Sequence, residues 1–451
     1  MISMLRMTRL TLILILTALL PFHAFGVTWL SSIVPAGTGL TLSVSWKEIL
    51  MLALVGILSI EILYRLRPGI AIKTDWLDRA ILGYLGLSLI WLIIQRETPI
   101  QWLFGFRLDV LPFLLLLLIR HVPWSEREKS LTIKTALWGA LAVMTFGLLQ
   151  ATVLPRDLLT KVGYSQEQEA FEANRPLTAC QQLEHTPAVC RAIATFGGPT
   201  RYGSYLLVII GLTLVWRERR LNKAEASQQT QRGEELTAKI GEPLLLTLAL
   251  VSIALTYSRS IWLGLATMLG LWALFNCRRR GKAVIAGLTL LVALGGFLAY
   301  ELRDTQQHNN VLKSIFTRTS STSAHLTYLQ EGVAKLSEHP WGLGLGTVGA
   351  ASIRFEPFLT ENWFLQIALE FGPIGLLLFL TIIGLILAKL LKKNSWAERG
   401  LALSLVGILV AGLFTHSFEE VASIFLLILL IGFYLPAAGR SPEKVEAKAT
   451  S

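Results

Sequence analysis

Two arginine residues at the ends of apolar segments are the first candidates for chemistry in this sequence. Arg191 precedes an apolar segment that begins near residue 199, and Arg259 lies in the short turn Tyr257-Ser258-Arg259-Ser260 between two further apolar segments. So short a turn holds the Arg259 side chain close to both of the apolar segments that the turn joins. Because planar guanidinium groups form paired hydrogen bonds with phosphate oxygens, the two residues predict a site for a phosphate-bearing ligand.

Three more basic residues lie in comparable positions, and we expect them to contribute to substrate binding. Arg201 stands at the start of the apolar segment that follows Arg191, and His339 and Arg354 lie in the polar segment before residue 363. The alternative for each of them is structural. An arginine at a membrane boundary, for example, readily extends its head to lipid headgroups while its stem stays in apolar surroundings.

A carboxylate and an amide at the start of an apolar segment are candidates for acid–base chemistry and binding. Glu361 and Asn362 directly precede the segment that begins at Trp363. Glu361 is either a general base whose basicity burial increases, or a helix cap stabilised by the helix dipole. Glu370 lies further along the same segment, before Phe371-Gly372-Pro373. We expect it to bind substrate, because a kink there would open it to a cavity and intramembrane carboxylates are usually functional.

The composition shows what kind of molecule must position these residues. The chain has 451 residues, of which 53% are hydrophobic and only 16% charged, and its net charge is +11. Soluble domains carry about 25% charged residues. The low charge excludes a disordered chain and predicts a polytopic membrane protein, and the net positive charge then reflects loop placement rather than nucleic-acid binding.

Long apolar runs predict about twelve membrane-spanning helices and an all-α fold. Strands would need short alternating segments that close into a barrel. The expected spans are 10–27, 47–64, 77–95, 102–120, 133–153, 199–216, 243–257, 260–276, 283–300, 363–391, 400–415 and 421–438. The first run resembles a signal peptide after Arg6 and Arg9, but it lacks a small-residue cleavage site and is expected to remain as a span.

The distribution of Lys and Arg predicts the orientation of the chain. With both termini in the cytoplasm, most of the 41 basic residues fall on the cytoplasmic side, as the positive-inside rule requires. The chain is then one integral-membrane domain with a cytoplasmic loop at 217–242. Two long outside loops at 154–198 and 301–362 are expected to be functional, because long polar segments between spans seldom serve only as linkers.

Cysteine usage and short motifs restrict the cofactors. Cys180 and Cys190 lie in the first long outside loop and either form a disulfide or remain as free thiols. No His/Cys group has zinc spacing, and no acidic loop has calcium spacing. Phosphate-binding loops, GxSxG and HExxH are likewise absent from the sequence. We therefore expect no cofactor and no metal.

Four stretches, taken in order, resemble the O-antigen ligase and polymerase superfamily of bacterial envelope glycosyltransferases. The similar family patterns are R-x-x-G-T-F-x-x-P-N-x-x-G-x-Y, S-R-[SG], H-P-x-x-G-x-G and H-N-x-x-L-x-x-x-x-E-x-G. The corresponding stretches here begin at Arg191, at Tyr257, at His339 and at Glu361, so that the resemblance covers residues 191–375. Each motif alone is weak, and their order and spacing give the set its specificity.

This resemblance implies a GT-C-like, metal-independent glycosyltransferase of the bacterial inner membrane with its active site on the periplasmic face. Such enzymes take a glycan from an undecaprenyl-pyrophosphate carrier and pass it to a lipid A-core sugar hydroxyl, as ligases do, or to another carrier-linked repeat unit, as polymerases do. Family arginines would bind the pyrophosphate, which assigns that role to Arg191 and Arg259. The motif histidine of the family would be the base that activates the acceptor hydroxyl.

The sequence departs from the family patterns at three positions. Glu361 occupies the position of the motif histidine, Thr200 that of an asparagine, and Ala194 that of a glycine. These departures weaken the ligase assignment and leave a polymerase open. His339 or His416 would be another source of imidazole. A transporter of lipid-linked sugars would place its charges near mid-membrane, and a scaffold would use the long loops to bind protein.

Overall fold

The computed structural model describes residues 2–34, 45–65, 73–95, 98–165, 177–183, 186–226, 232–276, 319–393 and 395–437. Its helices are α1 (Ile2–Leu19), α2 (His23–Ile33), α3 (Trp46–Arg65), α4 (Trp76–Ile94), α5 (Pro99–Gly105), α6 (Leu111–Arg120), α7 (Glu126–Thr152), α8 (Arg156–Thr160), α9 (Pro199–Ala226), α10 (Arg232–Thr256), α11 (Arg259–Asn276), α12 (Thr319–Glu338), α13 (Gly349–Ser352), α14 (Trp363–Lys392), α15 (Trp396–Gly412) and α16 (Val421–Tyr434). Strands β1 (Gln181–Leu183) and β2 (Thr186–Arg191) pair in antiparallel fashion. A π-helical turn, Phe106–Val110, joins α5 to α6.

Five helical segments within the described residues are long and apolar enough to cross a membrane. They are Ile2–Ile33, Trp76–Ile94, Pro99–Arg120, Glu126–Thr152 and Trp363–Lys392, and shorter apolar helices lie at Gly241–Thr256, Arg259–Phe275 and Val421–Tyr434. The prediction of an all-α, multi-pass membrane protein is therefore confirmed. The number twelve stays a prediction, because the expected span 283–300 lies outside the described residues.

The first helix begins earlier than the sequence indicates, at Ile2 instead of residue 10. Arg9 lies within it and is fully buried, whereas a flanking basic residue would be exposed. Its guanidinium donates to Glu61 Oε2 at 2.6 Å and to Glu128 Oε1 at 2.8 Å. The two carboxylates neutralise the arginine, so α1 continues through it and is joined to α3 and α7.

Side-chain caps fix the start of several helices. Asp75 and Asp78 form a reciprocal capping box at α4, and Ser125 and Glu128 form another at α7. Each box satisfies two backbone N–H groups that have no partner inside the helix. Arg120 extends the first box, because it donates to Asp75 Oδ2 at 2.7 Å and also contacts Asp78. The end of α6 is thereby tied to the start of α4.

Glycine residues bring α9 and α11 close to α15. A Cβ atom on Gly211 of α9 would lie 2.5 Å from the carbonyl oxygen of Gly400, and one on Gly264 of α11 would lie 2.6 Å from that of Gly407. Both distances are far shorter than a carbon–oxygen contact. Only glycine permits this backbone approach, which is a common device between membrane helices.

The long loops are more structured than the sequence indicates. The first, 154–198, contains α8 and the β-hairpin, and Cys180 and Cys190 form a disulfide across that hairpin. The predicted cytoplasmic loop 217–242 is largely helical, because α9 continues to Ala226 and α10 begins at Arg232. In the second outside loop, residues 301–318 lie outside the described residues and the remainder contains α12 and α13.

Candidate functional site

One cavity of about 710 Å³ lies where the starts of α9, α11 and α14 meet the turn between α15 and α16. The β-hairpin borders it on one side and α12 on another. Its lining includes residues from every one of these elements: Gln181, Arg191, Thr200, Arg201, Ser258, Arg259, Ser260, His325, Leu326, Leu329, Thr360, Glu361, Asn362, His416, Glu419 and Glu420. The cavity therefore collects segments that are more than two hundred residues apart in the chain.

Arg191 ends the disulfide-bonded hairpin and connects it to α10. Its Nε donates to the carbonyl oxygen of Thr256 at 3.0 Å, and the backbone N–H of Ala192 donates to Leu255 at 2.8 Å. Arginine often satisfies the last carbonyl groups of a helix in this way. Arg191 is thus both a helix cap and part of the cavity wall, beside the turn that carries Arg259.

Arg259 is the first residue of α11 and lines the cavity. Tyr257, two residues before Arg259, has a left-handed backbone with φ of 48°, which makes the sharp turn from α10 into α11. Hydroxyl groups surround this turn, since Ser258 Oγ lies 3.2 Å from Ser260 Oγ and 3.3 Å from Thr200 Oγ1. Guanidinium, hydroxyl and helix N-terminal N–H groups together suit an anionic oxygen.

Arg201 also lines the cavity, so the structure places it away from a purely lipid-facing position. Its Nε lies 3.9 Å from Glu420 Oε2. Burial raises the pKa of the Glu420 carboxyl, while the positive charges of Arg201 and Lys47 act in the opposite direction. The cavity therefore contains three arginines, Arg191, Arg201 and Arg259, and a carboxyl group that faces one of them.

The backbone conformation of Glu361 sets its place on the cavity wall. It has a left-handed φ of 48°, a conformation that costs a residue with a side chain of order 1 kcal/mol. Asn362, and not Glu361, caps α14, because Asn362 Oδ1 accepts from the N–H of Leu365 at 2.9 Å. The capping alternative for Glu361 is therefore wrong, and its carboxylate instead pairs with His325 Nδ1.

A series of hydrogen bonds that runs from Glu361 to Glu419 holds the backbone of Glu361 in place. The N–H of Glu361 donates to His416 Nε2 at 3.2 Å, and His416 Nδ1 lies 2.6 Å from Gln366 Oε1. Gln366 Nε2 donates to Glu419 Oε1 at 3.0 Å, and the N–H of Ala350 donates to the same oxygen at 2.9 Å. Because Nε2 of His416 accepts, its Nδ1 carries the proton. Both ring nitrogens of His416 are therefore engaged.

Three residues predicted to bind substrate are not among those that line this cavity. Arg354 is exposed and its guanidinium stacks on Phe104 at 4.8 Å. His339 is exposed at the end of α12. Its backbone N–H donates to the carbonyl of Lys335 and so closes the last turn of that helix. The Arg354 side chain turns to Phe104 of α5, although Ile353 beside it lines the cavity, and the loop after His339 packs along α14, where the N–H of Leu343 donates to the carbonyl of Leu369.

Glu370 is fully buried and likewise absent from the cavity wall. Its Oε1 accepts from the N–H of Val348 at 3.0 Å. A kink is present at Gly372, where φ is 71°, but the backbone of Trp341 fills the space beside it. The kink therefore holds the 339–349 segment instead of opening Glu370 to solvent.

His325, Glu419, Glu420 and Gln181 are cavity residues that the sequence reasoning did not select as candidates. His325 lies in α12, in a polar stretch without a family motif, so no local signal marks it. Glu419 and Glu420 follow His416 on a short turn, and their position among other charged loop residues was the only available signal. Within the described part of the chain, no group of three or more His, Cys, Asp or Glu residues is arranged to hold a metal ion.

Comparisons with known proteins agree with the motif resemblance. Residues 244–380 match the family model described as O-Antigen ligase. The chain is also 31% identical, over 136 residues, to an O-antigen polymerase from Salmonella muenchen, which covers 28% of this chain and 33% of the relative. It thus matches about a third of that relative's length. These findings confirm the predicted resemblance to the O-antigen ligase and polymerase superfamily.

Proposed function

We propose that this chain, as its resemblance to O-antigen ligases and polymerases suggests, transfers a glycan from a lipid-linked pyrophosphate to an acceptor hydroxyl. The observation that carries the proposal is the single cavity that contains Arg191, Arg201 and Arg259 together with the Glu361–His325 pair. Cationic groups that recognise phosphate and groups that accept a proton are the two components that such a reaction needs.

The arginines would act on the leaving group. When the bond between the anomeric carbon and the phosphate oxygen breaks, negative charge develops on the pyrophosphate. Arg259 and Arg191 are fixed by a tight turn and a disulfide-bonded hairpin, so they need little reorganisation to stabilise that charge. Fixed donors of this kind contribute about 10²–10³-fold each in rate.

The donor in this proposal is an undecaprenyl-pyrophosphate-linked glycan and the acceptor is lipid A-core or a second carrier-linked glycan. The cavity would face the periplasm, with both termini in the cytoplasm of an inner-membrane protein. The family model favours a ligase and the Salmonella muenchen relative favours a polymerase, so both acceptors are kept. A transporter is less well supported, because the arginines share one cavity at the helix ends.

The proposal is tested by alanine substitutions in a strain that depends on this protein for its envelope polysaccharide. Arg259→Ala should reduce envelope polysaccharide at least a hundredfold while the membrane level of the protein stays normal. Arg354→Ala is the matched control, because Arg354 is an exposed arginine outside the cavity. Arg191→Ala should have a similar effect, with a lower melting temperature because it also caps α10.

The electrophoretic band pattern of the polysaccharide then identifies the acceptor. Loss of lipid A-linked polymer with carrier-linked polymer retained indicates a ligase, and a single-repeat product indicates a polymerase. Normal amounts of polymer in both Arg259→Ala and Arg191→Ala would refute the glycosyl-transfer proposal.

A further inference from the structure

His325 and Glu361 form a carboxylate–imidazole pair on the cavity wall. The contact joins His325 Nδ1 to Glu361 Oε2, and both residues line the cavity. Their side chains are 34% and 31% exposed, respectively, so neither is buried in the helix packing. An imidazole whose one nitrogen donates to a carboxylate has its tautomer and ring orientation fixed, and its other nitrogen is left as an acceptor.

The remaining nitrogen, His325 Nε2, has no hydrogen-bond partner within the described part of the chain. This distinguishes His325 from His416, whose two ring nitrogens contact Gln366 and the backbone of Glu361. It also distinguishes His325 from His339, which lies outside the cavity. Of these three histidines, His325 alone combines a place on the cavity wall with an unoccupied acceptor nitrogen.

The position of Glu361 is set independently of His325. Its left-handed backbone, the hydrogen bond from its N–H to His416, and the Asn362 cap on the next residue all fix the point from which the carboxylate extends. A residue held in a strained conformation by several contacts indicates a position that the surrounding structure maintains. Here the maintained position is the one that contacts the imidazole.

We propose that His325 is the general base of this site and that Glu361 is its positioning carboxylate. The inference rests on the proposed glycosyl transfer. The acceptor oxygen forms a bond with the anomeric carbon while the bond from that carbon to the phosphate oxygen breaks. The hydroxyl proton passes to His325 Nε2, and the electron pair of the broken bond leaves with the lipid pyrophosphate beside Arg259. The imidazole thus comes from α12, whereas Glu361 stands at the motif position.

The full-length purified protein provides the test, with a carrier-linked repeat unit as donor and the rate of lipid pyrophosphate release as readout. His325→Ala should lower the rate about 10²–10⁴-fold, the usual contribution of a general base. His325→Gln should be equally impaired, although its amide still donates to Glu361. Added imidazole should restore His325→Ala at least several-fold, which a structural role would not allow.

Two further variants separate the roles within the pair. Glu361→Gln should keep the acid limb of the pH–rate profile, because the imidazole remains, and should lose less activity than His325→Ala. In His325→Ala that limb should disappear. His339→Ala is the matched control and should behave as wild type, since His339 is outside the cavity.

The outcomes distinguish this inference from the proposed function. If the wild type releases no lipid pyrophosphate, the proposed glycosyl transfer itself fails. If the wild type is active and His325→Ala keeps its rate within threefold, or if imidazole does not restore it, His325 is not the base. A larger loss in Glu361→Gln than in His325→Ala would assign the proton transfer to Glu361 and overturn the inference in the same way.

Discussion

The glycine contact between α11 and α15 predicts that a single added methyl group will disturb the site from a distance. In Gly264→Ala, the new Cβ would lie 2.6 Å from the carbonyl oxygen of Gly407. That oxygen belongs to a helix backbone and cannot rotate away. The two helices must separate locally by about 0.4–0.8 Å before the contact reaches the 3.0–3.4 Å that packed atoms tolerate, which costs about 1–3 kcal/mol.

This displacement reaches the cavity because Arg259 begins the same helix. Gly264 lies five residues after Arg259, about 7.5 Å along the axis at 1.5 Å per residue. A shift of several tenths of an ångström at Gly264 therefore moves the guanidinium by a similar amount. Because misplacement by about 1 Å can cost 10²-fold in rate, we expect the proposed transfer activity to fall tenfold or more.

The assay compares thermal unfolding and transfer rate in purified Gly264→Ala and Gly86→Ala. Gly86 is the matched control, since it lies in α4 and a Cβ there would meet nothing within 4 Å. Gly264→Ala should melt roughly 2–6 °C lower than wild type. Gly86→Ala should be neutral or slightly stabilised, because alanine is the better helix former. Equal melting temperatures and rates in the two variants would show that the α11–α15 contact does not position Arg259.

Two further predictions concern the supports of the fold. Replacing both cysteines, Cys180→Ser with Cys190→Ser, should cost about 3 kcal/mol of local stability and make the hairpin cleavable by limited proteolysis; unchanged protease resistance would contradict this. Burial would raise the pKa of Asp75, but hydrogen bonds from Arg120 and Lys389 outweigh it and hold that pKa well below its usual range. The stability from Asp75 is therefore present above about pH 4 and lost below it, and Asp75→Asn should be destabilised by about 1–3 kcal/mol at pH 7, with the gap to wild type narrowing in denaturation curves below pH 4.

Local sequence patterns predicted the helical frame and part of the cavity. Apolar length alone predicts the helix that begins at Trp363. The position of Arg191 before an apolar segment and that of Arg259 in a short turn mark two residues that line the cavity. The sequence places Arg9 at the flank of the first span, outside the helix. Its burial cannot be seen locally, because it depends on Glu61 and Glu128, which are distant in sequence. A charge inside a helix can be recognised as neutralised only when its partners are known.

The proposed acid–base pair is less predictable for a related reason. The motif marks Glu361, which lines the cavity, but its partner His325 belongs to a polar helix that carries no spacing signal. His339 and Glu370 carry family-like or intramembrane signals, yet they lie at the 339–349 segment and beside the Gly372 kink, and Arg354 stacks on Phe104. Spacing along the chain does not report on which side of a turn a side chain lies.

The disulfide-bonded hairpin has a consequence for when the binding site becomes ordered. Two isolated strands are marginally stable in water, so β1 and β2 alone would fluctuate and Arg191 with them. With the disulfide between Cys180 and Cys190, the hairpin becomes ordered when the protein folds. Without it, the hairpin would become ordered only when the ligand binds. Loss of the cross-link should therefore appear mainly as weaker capture of the proposed lipid pyrophosphate donor, a rise in KM, while molecules that have bound the donor react at nearly the normal rate.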